Sequence, residues 1–227
     1  MIPASPTGSW AASSEPLWSK QSEHPFVSAL GRGDLPIEKF RFYVIQDYLF
    51  LGVLARVCAF AAARCTDRDE ARFFLDLAKS TIDGEAALHE GYAAEFGIDP
   101  REMERARMAP NNLAYCNFLL NIAQGAPAVE IAVAMLPCAW IYCDIGAHLK
   151  KEHFPGADHP YGKWMALYSS PEFLEQANWL RAFVDRAVPQ MTGAERGRLE
   201  QIFRTAVEYE WLFWEMAWTR QDWPEGE

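Results

Sequence analysis

Apolar residues recur at steps of three and four through most of this chain, the period of a helix with one buried face. No internal repeat and no convincing series of alternating strands interrupts that pattern. Turn and capping residues divide it into helices. The first runs from about Glu15 to Leu30 and stops at GRGD, and Pro36 opens a long second helix to about Ala63, since proline suits a first turn. The third begins near Asp67 or Asp69 and ends at about Phe96, where Gly97 fits a C-terminal cap. A polar connection with Pro100 and Pro110 leads to a helix of about Asn112 to Ala123. The next, from about Pro127 to Glu152, is interrupted or kinked by Pro137, which has no N–H to give the preceding turn. HFPGADHP reads as a loop before a short helix of about Tyr161 to Tyr168. Ser170 and Pro171 cap a helix that ends before Pro189. Thr192 to Glu195 has capping-box spacing and starts the last helix, to about Thr219. The expectation is an all-α helical bundle, one domain over residues 15–227 behind a flexible leader over 1–14.

Three acids stand where that periodicity calls for apolar side chains. Asp47 falls in the stripe Phe40, Tyr43, Phe50, Leu54, and Glu210 in the stripe Phe203, Ala206, Phe213, Ala217. Glu85 falls in Phe74, Ala78, Thr81, Leu88, Tyr92, with His89 one turn further on. Burying a carboxylate costs several kcal/mol unless it is paired, so one such acid reads most simply as a hydrogen-bonded structural group. Three on separate helices point to a polar pocket inside the bundle. Cys138 shares an inward stripe with Ile131, Ala134, Ile141, Ile145 and His148. Alone it reads as inert core; beside an acid that handles protons it becomes a candidate nucleophile.

Composition narrows the partners. The formal charge of −10 and the lack of a basic cluster argue against nucleic acid or an anionic membrane surface. No run of about 20 apolar residues reads as a membrane span, and the first residues lack the basic start and apolar run of a secretory signal. Five cysteines without CxxC spacing read as free thiols in a reducing cytoplasm, with Cys143 on another face from Cys138 and Cys58, Cys65 and Cys116 carrying no site argument. A competing reading uses two pairs one helical turn apart, Glu85 with His89 and Asp144 with His148, as ligands of a di-iron oxidase. The spacing differs from the Glu-x-x-His of ferritin-like bundles, and such pairs also occur as surface contacts.

Five blocks occur in order: HPFVSALGRGDLP, FRFYVIQDYLFL, MLPCAWIY, HPYGKWMALYSSPEF and EYEWLFWEMAW. Together they resemble the TenA, or thiaminase II, family over about Trp18 to Trp223. The resemblance implies a haem-oxygenase-like all-α fold, a homotetramer, and a cytoplasmic aminopyrimidine aminohydrolase of thiamin salvage with no metal or organic cofactor. Its substrate is 4-amino-5-aminomethyl-2-methylpyrimidine, with thiamin itself as a further one. Position by position, Cys138 matches the family's nucleophile and Glu210 its catalytic acid, Glu208 lying at the wrong distance from Phe213 and Trp214. Asp47 matches the residue that binds the aminopyrimidine; Tyr115, Tyr142, Tyr168 and Phe213 match pocket aromatics. Phe50 stands where relatives often carry tyrosine, and Glu85 is a further pocket acid. A non-catalytic pyrimidine-binding protein is the third reading.

Overall fold

The computed structural model describes residues 5–153 and 158–224, and among these there is no strand. Its helices, in chain order, are α1 (Pro6–Ser13), α2 (Leu17–Glu23), α3 (Pro25–Arg32), α4 (Ile37–Arg64), α5 (Arg68–Ser80) and α6 (Ala87–Phe96). They continue with α7 (Pro100–Arg105), α8 (Pro110–Gly125), α9 (Ala128–His153), α10 (Gly162–Tyr168), α11 (Pro171–Ala187) and α12 (Gly193–Thr219). A π-helical turn, Thr81–Ala86, joins α5 to α6.

Local chemistry accounts for most boundaries. Ser170 Oγ accepts from Phe173 N, and Thr192 and Glu195 exchange the reciprocal bonds of a capping box. Gly33 and Gly97 end α3 and α6 at φ 77° and 67°, a region L-residues with a Cβ avoid. The single first helix expected over 15–30 is two, broken at His24. Pro25 pushes the residue before it out of the helical region, and His24 Nδ1 accepts from Phe26 N to cap α3. Pro137 lies inside α9 without ending it. The polar connection before α8 contains the short helix α7, which Asp99 caps through Arg101 N. Of the expected HFPGADHP loop, residues 154–157 lie outside the described residues.

The stretch expected as a leader also departs from its reading. Ser5 caps α1, whose Thr7, Trp10 and Ala11 are buried. Thr7 donates through its N–H and its hydroxyl to the carboxylate of Asp185, at 2.8 and 3.0 Å. A serine- and alanine-rich composition hid a helix whose order comes from distant partners.

Contacts group the chain into two compact units, neither continuous in sequence. The first comprises Met1–Gly33 and Val129–Trp211. Its aromatic packing includes Trp18 stacked on Phe203 with centroids 5.8 Å apart, and Trp10 against the same ring. Gly146 of α9 lies where the chain leaves α10, and a Cβ built there would stand 2.5 Å from the Tyr168 carbonyl carbon and 2.8 Å from Ser169 N. Backbone atoms cannot swing aside as a side-chain tip can. Gly146→Ala is therefore expected to cost about 1–3 kcal/mol. For a chain of this size that lowers Tm by roughly 2–12 °C in a circular-dichroism melt. An unchanged Tm would show that α10 yields freely.

The second unit comprises Asp34–Ala128 and Leu212–Glu227. Gln46 of α4 fixes the start of α8: its Oε1 accepts from Ala109 N and from Asn112 Nδ2, which also donates to the Gln46 carbonyl. Arg41 closes the end of α6 by donating to the Phe96 carbonyl at 3.0 Å.

Two helices, α4 and α9, do contain stretches long and apolar enough to cross a bilayer, against the expectation from sequence. Those stretches are 61% and 72% buried inside the protein, so most of each is part of the core.

Candidate active site

In the second unit, α4 presents the expected stripe. Phe40, Tyr43, Asp47, Phe50 and Leu54 are all buried, Asp47 being 3% exposed. A carboxylate so placed needs donors, and it has two. Tyr43, one turn earlier on α4, donates its hydroxyl to Asp47 Oδ2 at 3.2 Å, and His89 Nε2 of α6 lies 2.6 Å from the same oxygen. A carboxylate oxygen only accepts, so the imidazole proton sits on Nε2. Among the described residues, Asp47 Oδ1 takes part in neither bond.

Around this acid the unit assembles aromatic rings. Phe50, three residues along α4, lies 5.1 Å from Tyr115 of α8 and 5.6 Å from Phe213 of α12, centroid to centroid. Tyr43 meets Phe213 edge-on at 6.3 Å. Asp47, Phe50, Tyr115 and Phe213, each picked out in the sequence, thus belong to one cluster. Such a set suits a flat, polar-edged ligand: rings for its faces and a fixed acceptor for an N–H.

The first unit holds Cys138, Tyr142, Tyr168 and Glu210. Cys138 is half-buried and shares a face of α9 with Tyr142 one turn on. Tyr142 meets Tyr168 at 4.7 Å, and Trp164 completes that group at 5.7 and 4.5 Å from the two tyrosines. Glu210 occupies the inward slot expected on α12 and is 2% exposed.

Two sequence readings need correction. Glu85 was expected on the buried face, but it is half-buried on the π turn and near enough to Cys58 to raise that thiol. His148 was expected in the inward stripe of Cys138 but is exposed, as is Asp144. Asp144 instead accepts from Trp18 Nε1 at 3.0 Å. Among the described residues no three metal-ligating side chains come together, and His89, one of the four proposed ligands of iron, is committed to Asp47. Tyr43 and His89 are the residues that sequence reasoning did not assign to the pocket.

The five free cysteines divide by environment. Burial holds the Cys58 thiol well above its usual range, with Glu85 adding to it, and pushes Cys116 up to about 12. Cys65 is raised by desolvation and then by Glu70 and Asp67, and Cys143 is buried. Raised thiols stay protonated and unreactive at pH 8. Iodoacetamide on the native protein is therefore expected to label Cys138 first and Cys65 slowly, sparing Cys58, Cys116 and Cys143 until unfolding. Peptide mass spectrometry reads the order, and labelling of Cys58 ahead of Cys138 would contradict it.

Comparison with known proteins extends this picture. The model of a family described as TENA/THI-4/PQQC matches residues 11–220, beginning inside the stretch expected as a leader. An aminopyrimidine aminohydrolase of Halalkalibacterium halodurans is 39% identical over 211 residues, spanning 92% of this chain and 93% of its own. Another, from Helicobacter pylori, is 36% identical over 89% of this chain and 93% of its own. Among solved structures, a TenA homologue from P. horikoshii OT3 superposes with a TM-score of 0.86 at 31% identity, covering 95% of this chain and 99% of that one. A domain with a heme oxygenase-like fold from Shewanella denitrificans OS217 reaches 0.71 over 92% and 90% of the two chains at 12% identity, a likeness of fold alone.

Proposed function

The chain belongs to the TENA/THI-4/PQQC family, and from that premise we propose that it is an aminopyrimidine aminohydrolase (thiaminase II) of thiamin salvage. It acts on C–N bonds: the aminomethyl group of 4-amino-5-aminomethyl-2-methylpyrimidine becomes hydroxymethyl with release of ammonia, and thiamin is a second substrate. The observation that carries this reading is the buried Asp47 carboxylate, held by Tyr43 and His89 in the cluster of Phe50, Tyr115 and Phe213. An apolar, ring-lined setting with one fixed acceptor fits the amino edge of a pyrimidine.

In the proposed reaction the Cys138 thiolate adds to a carbon of the electron-poor ring and breaks its aromaticity. The ring nitrogens then push electrons toward the exocyclic methylene, and its C–N bond breaks. The electron pair leaves with nitrogen, which takes a proton from Glu210. Water adds its oxygen to the methylene and gives a proton to the Glu210 carboxylate. The C–S bond breaks last and aromaticity returns, so the nucleophile is regenerated. The sum is one water consumed and one ammonia released. Asp47 binds the amino group, and Tyr142 and Tyr168 supply ring surface near Cys138. No metal or organic cofactor enters this scheme. A homotetramer in the cytoplasm completes the reading, on the strength of the family resemblance. The test is ammonia release from 4-amino-5-aminomethyl-2-methylpyrimidine by the purified protein. Release at a rate proportional to enzyme is expected; none from folded protein over a long incubation would overturn the reading.

A further inference from the structure

Asp47 does not hold its orientation alone. Both of its donors, the Tyr43 hydroxyl and His89 Nε2, fall on Oδ2, so rotating the carboxyl group breaks both bonds together. His89 is fully buried, its ring edge-on to Tyr43 with centroids 5.7 Å apart. Its Nδ1 is buried with no hydrogen-bond partner among the described residues, so Asp47 is the polar group this imidazole serves. A histidine kept only for packing would leave one nitrogen unsatisfied for no return, where an apolar side chain would not.

We propose that His89 is the positioning residue for Asp47, and through it a determinant of selectivity for 4-amino over 4-oxo pyrimidines. The inference rests on the aminohydrolase reading and extends it to a residue that touches no reacting atom. With Oδ2 occupied by two protein donors, Oδ1 is the oxygen left to face a ligand, and it faces it as an acceptor. A 4-amino group donates to that oxygen. A 4-oxo group sets acceptor against acceptor, and a site built for a donor rejects it strongly. The π turn supports the assignment from the side of the chain. One extra residue in the helical register puts position 89 where regular periodicity would put Leu88.

The experiment compares the wild type with His89→Leu and His89→Gln, glutamine being able to carry a donor to the Nε2 position. Three quantities are read: kcat and KM for ammonia release; the Kd ratio of 4-amino- to 4-oxo-5-hydroxymethyl-2-methylpyrimidine by tryptophan fluorescence; and the iodoacetamide rate at Cys138. His89→Leu is expected to raise KM roughly 10–100-fold, the range of a charge-assisted hydrogen bond. It should change kcat far less, narrow the amino-over-oxo ratio at least tenfold, and leave Cys138 labelling as in the wild type. His89→Gln should recover most of the selectivity, which a purely structural role would not produce. If His89→Leu does not fold, His89→Asn, whose amide stops short of Oδ2, replaces it as the loss variant. Unchanged KM and selectivity in the loss variant, or a fall in kcat with KM constant, overturns the proposal. Wild-type protein that binds the 4-amino ligand selectively but releases no ammonia would overturn the aminohydrolase reading instead, and the Kd ratios would still decide for or against His89.

Discussion

Cys138→Ser is expected to abolish ammonia release, by at least about 10³-fold, while the protein melts within a degree or two of the wild type. The two side chains differ little in size, and the position is half-buried, so packing loses little. Chemistry loses much more, because a hydroxyl holds its proton far more tightly than a thiol and is not activated by the same base. Glu210→Gln, tested alongside, should lower kcat by roughly 10²–10⁴, since an amide fills the same buried slot but neither gives nor takes a proton. The other thiols sharpen the test. Cys58 and Cys116 are buried with raised thiols, so neither is suited to take over the attack. Either variant retaining activity within tenfold of the wild type would sink the covalent scheme, and ammonia release by the wild type alone would support it.

The sequence was most legible where helices are regular. On α4 and α12 every position of the expected stripes is buried, acids included, because a straight helix keeps its period from end to end. It was least legible where a local insertion or a distant partner decides the outcome. The third predicted helix covers the right span, from the Asp67 cap to Gly97, yet Glu85 and Leu88 of its expected inner face are only half-buried, while Tyr92 further on is buried as expected. The π turn at Thr81–Ala86 adds a residue to the register, so Thr81 is buried as expected while Glu85 turns partly outward and His89 inward. No residue pattern in TIDGEA marks that turn within a 3.6-residue period. The helix α1 was missed for a different reason: its tie to Asp185 lies 178 residues away along the chain. Phe50 was recognisable as a departure from a tyrosine, but only its ring contacts show that it joins Tyr115 to Phe213.

Asp47→Asn is expected to weaken the 4-amino substrate by roughly 10²–10⁴-fold in kcat/KM and to improve binding of a 4-oxo pyrimidine. Asparagine keeps the size of aspartate, but its two ends differ, and the protein chooses which way they point. The Tyr43 hydroxyl and His89 Nε2–H both need an acceptor, so the amide oxygen takes the place of Oδ2, at 3.2 and 2.6 Å from those donors. That choice puts the amide NH₂ in the place of Oδ1. A substrate amino group then meets a donor where it found an acceptor, and one N–H on each side goes unsatisfied in a buried site. A 4-oxo group meets the donor it lacked. Loss of activity alone would not separate this from simple damage, whereas a reversal of ligand preference does, because damage has no reason to favour the oxo compound. Isothermal titration of both pyrimidines into wild type and Asp47→Asn reads the reversal directly. Weaker binding of both ligands by the same factor would mean that Asp47 supplies packing or charge without the directed acceptor that the two bonds to Oδ2 imply.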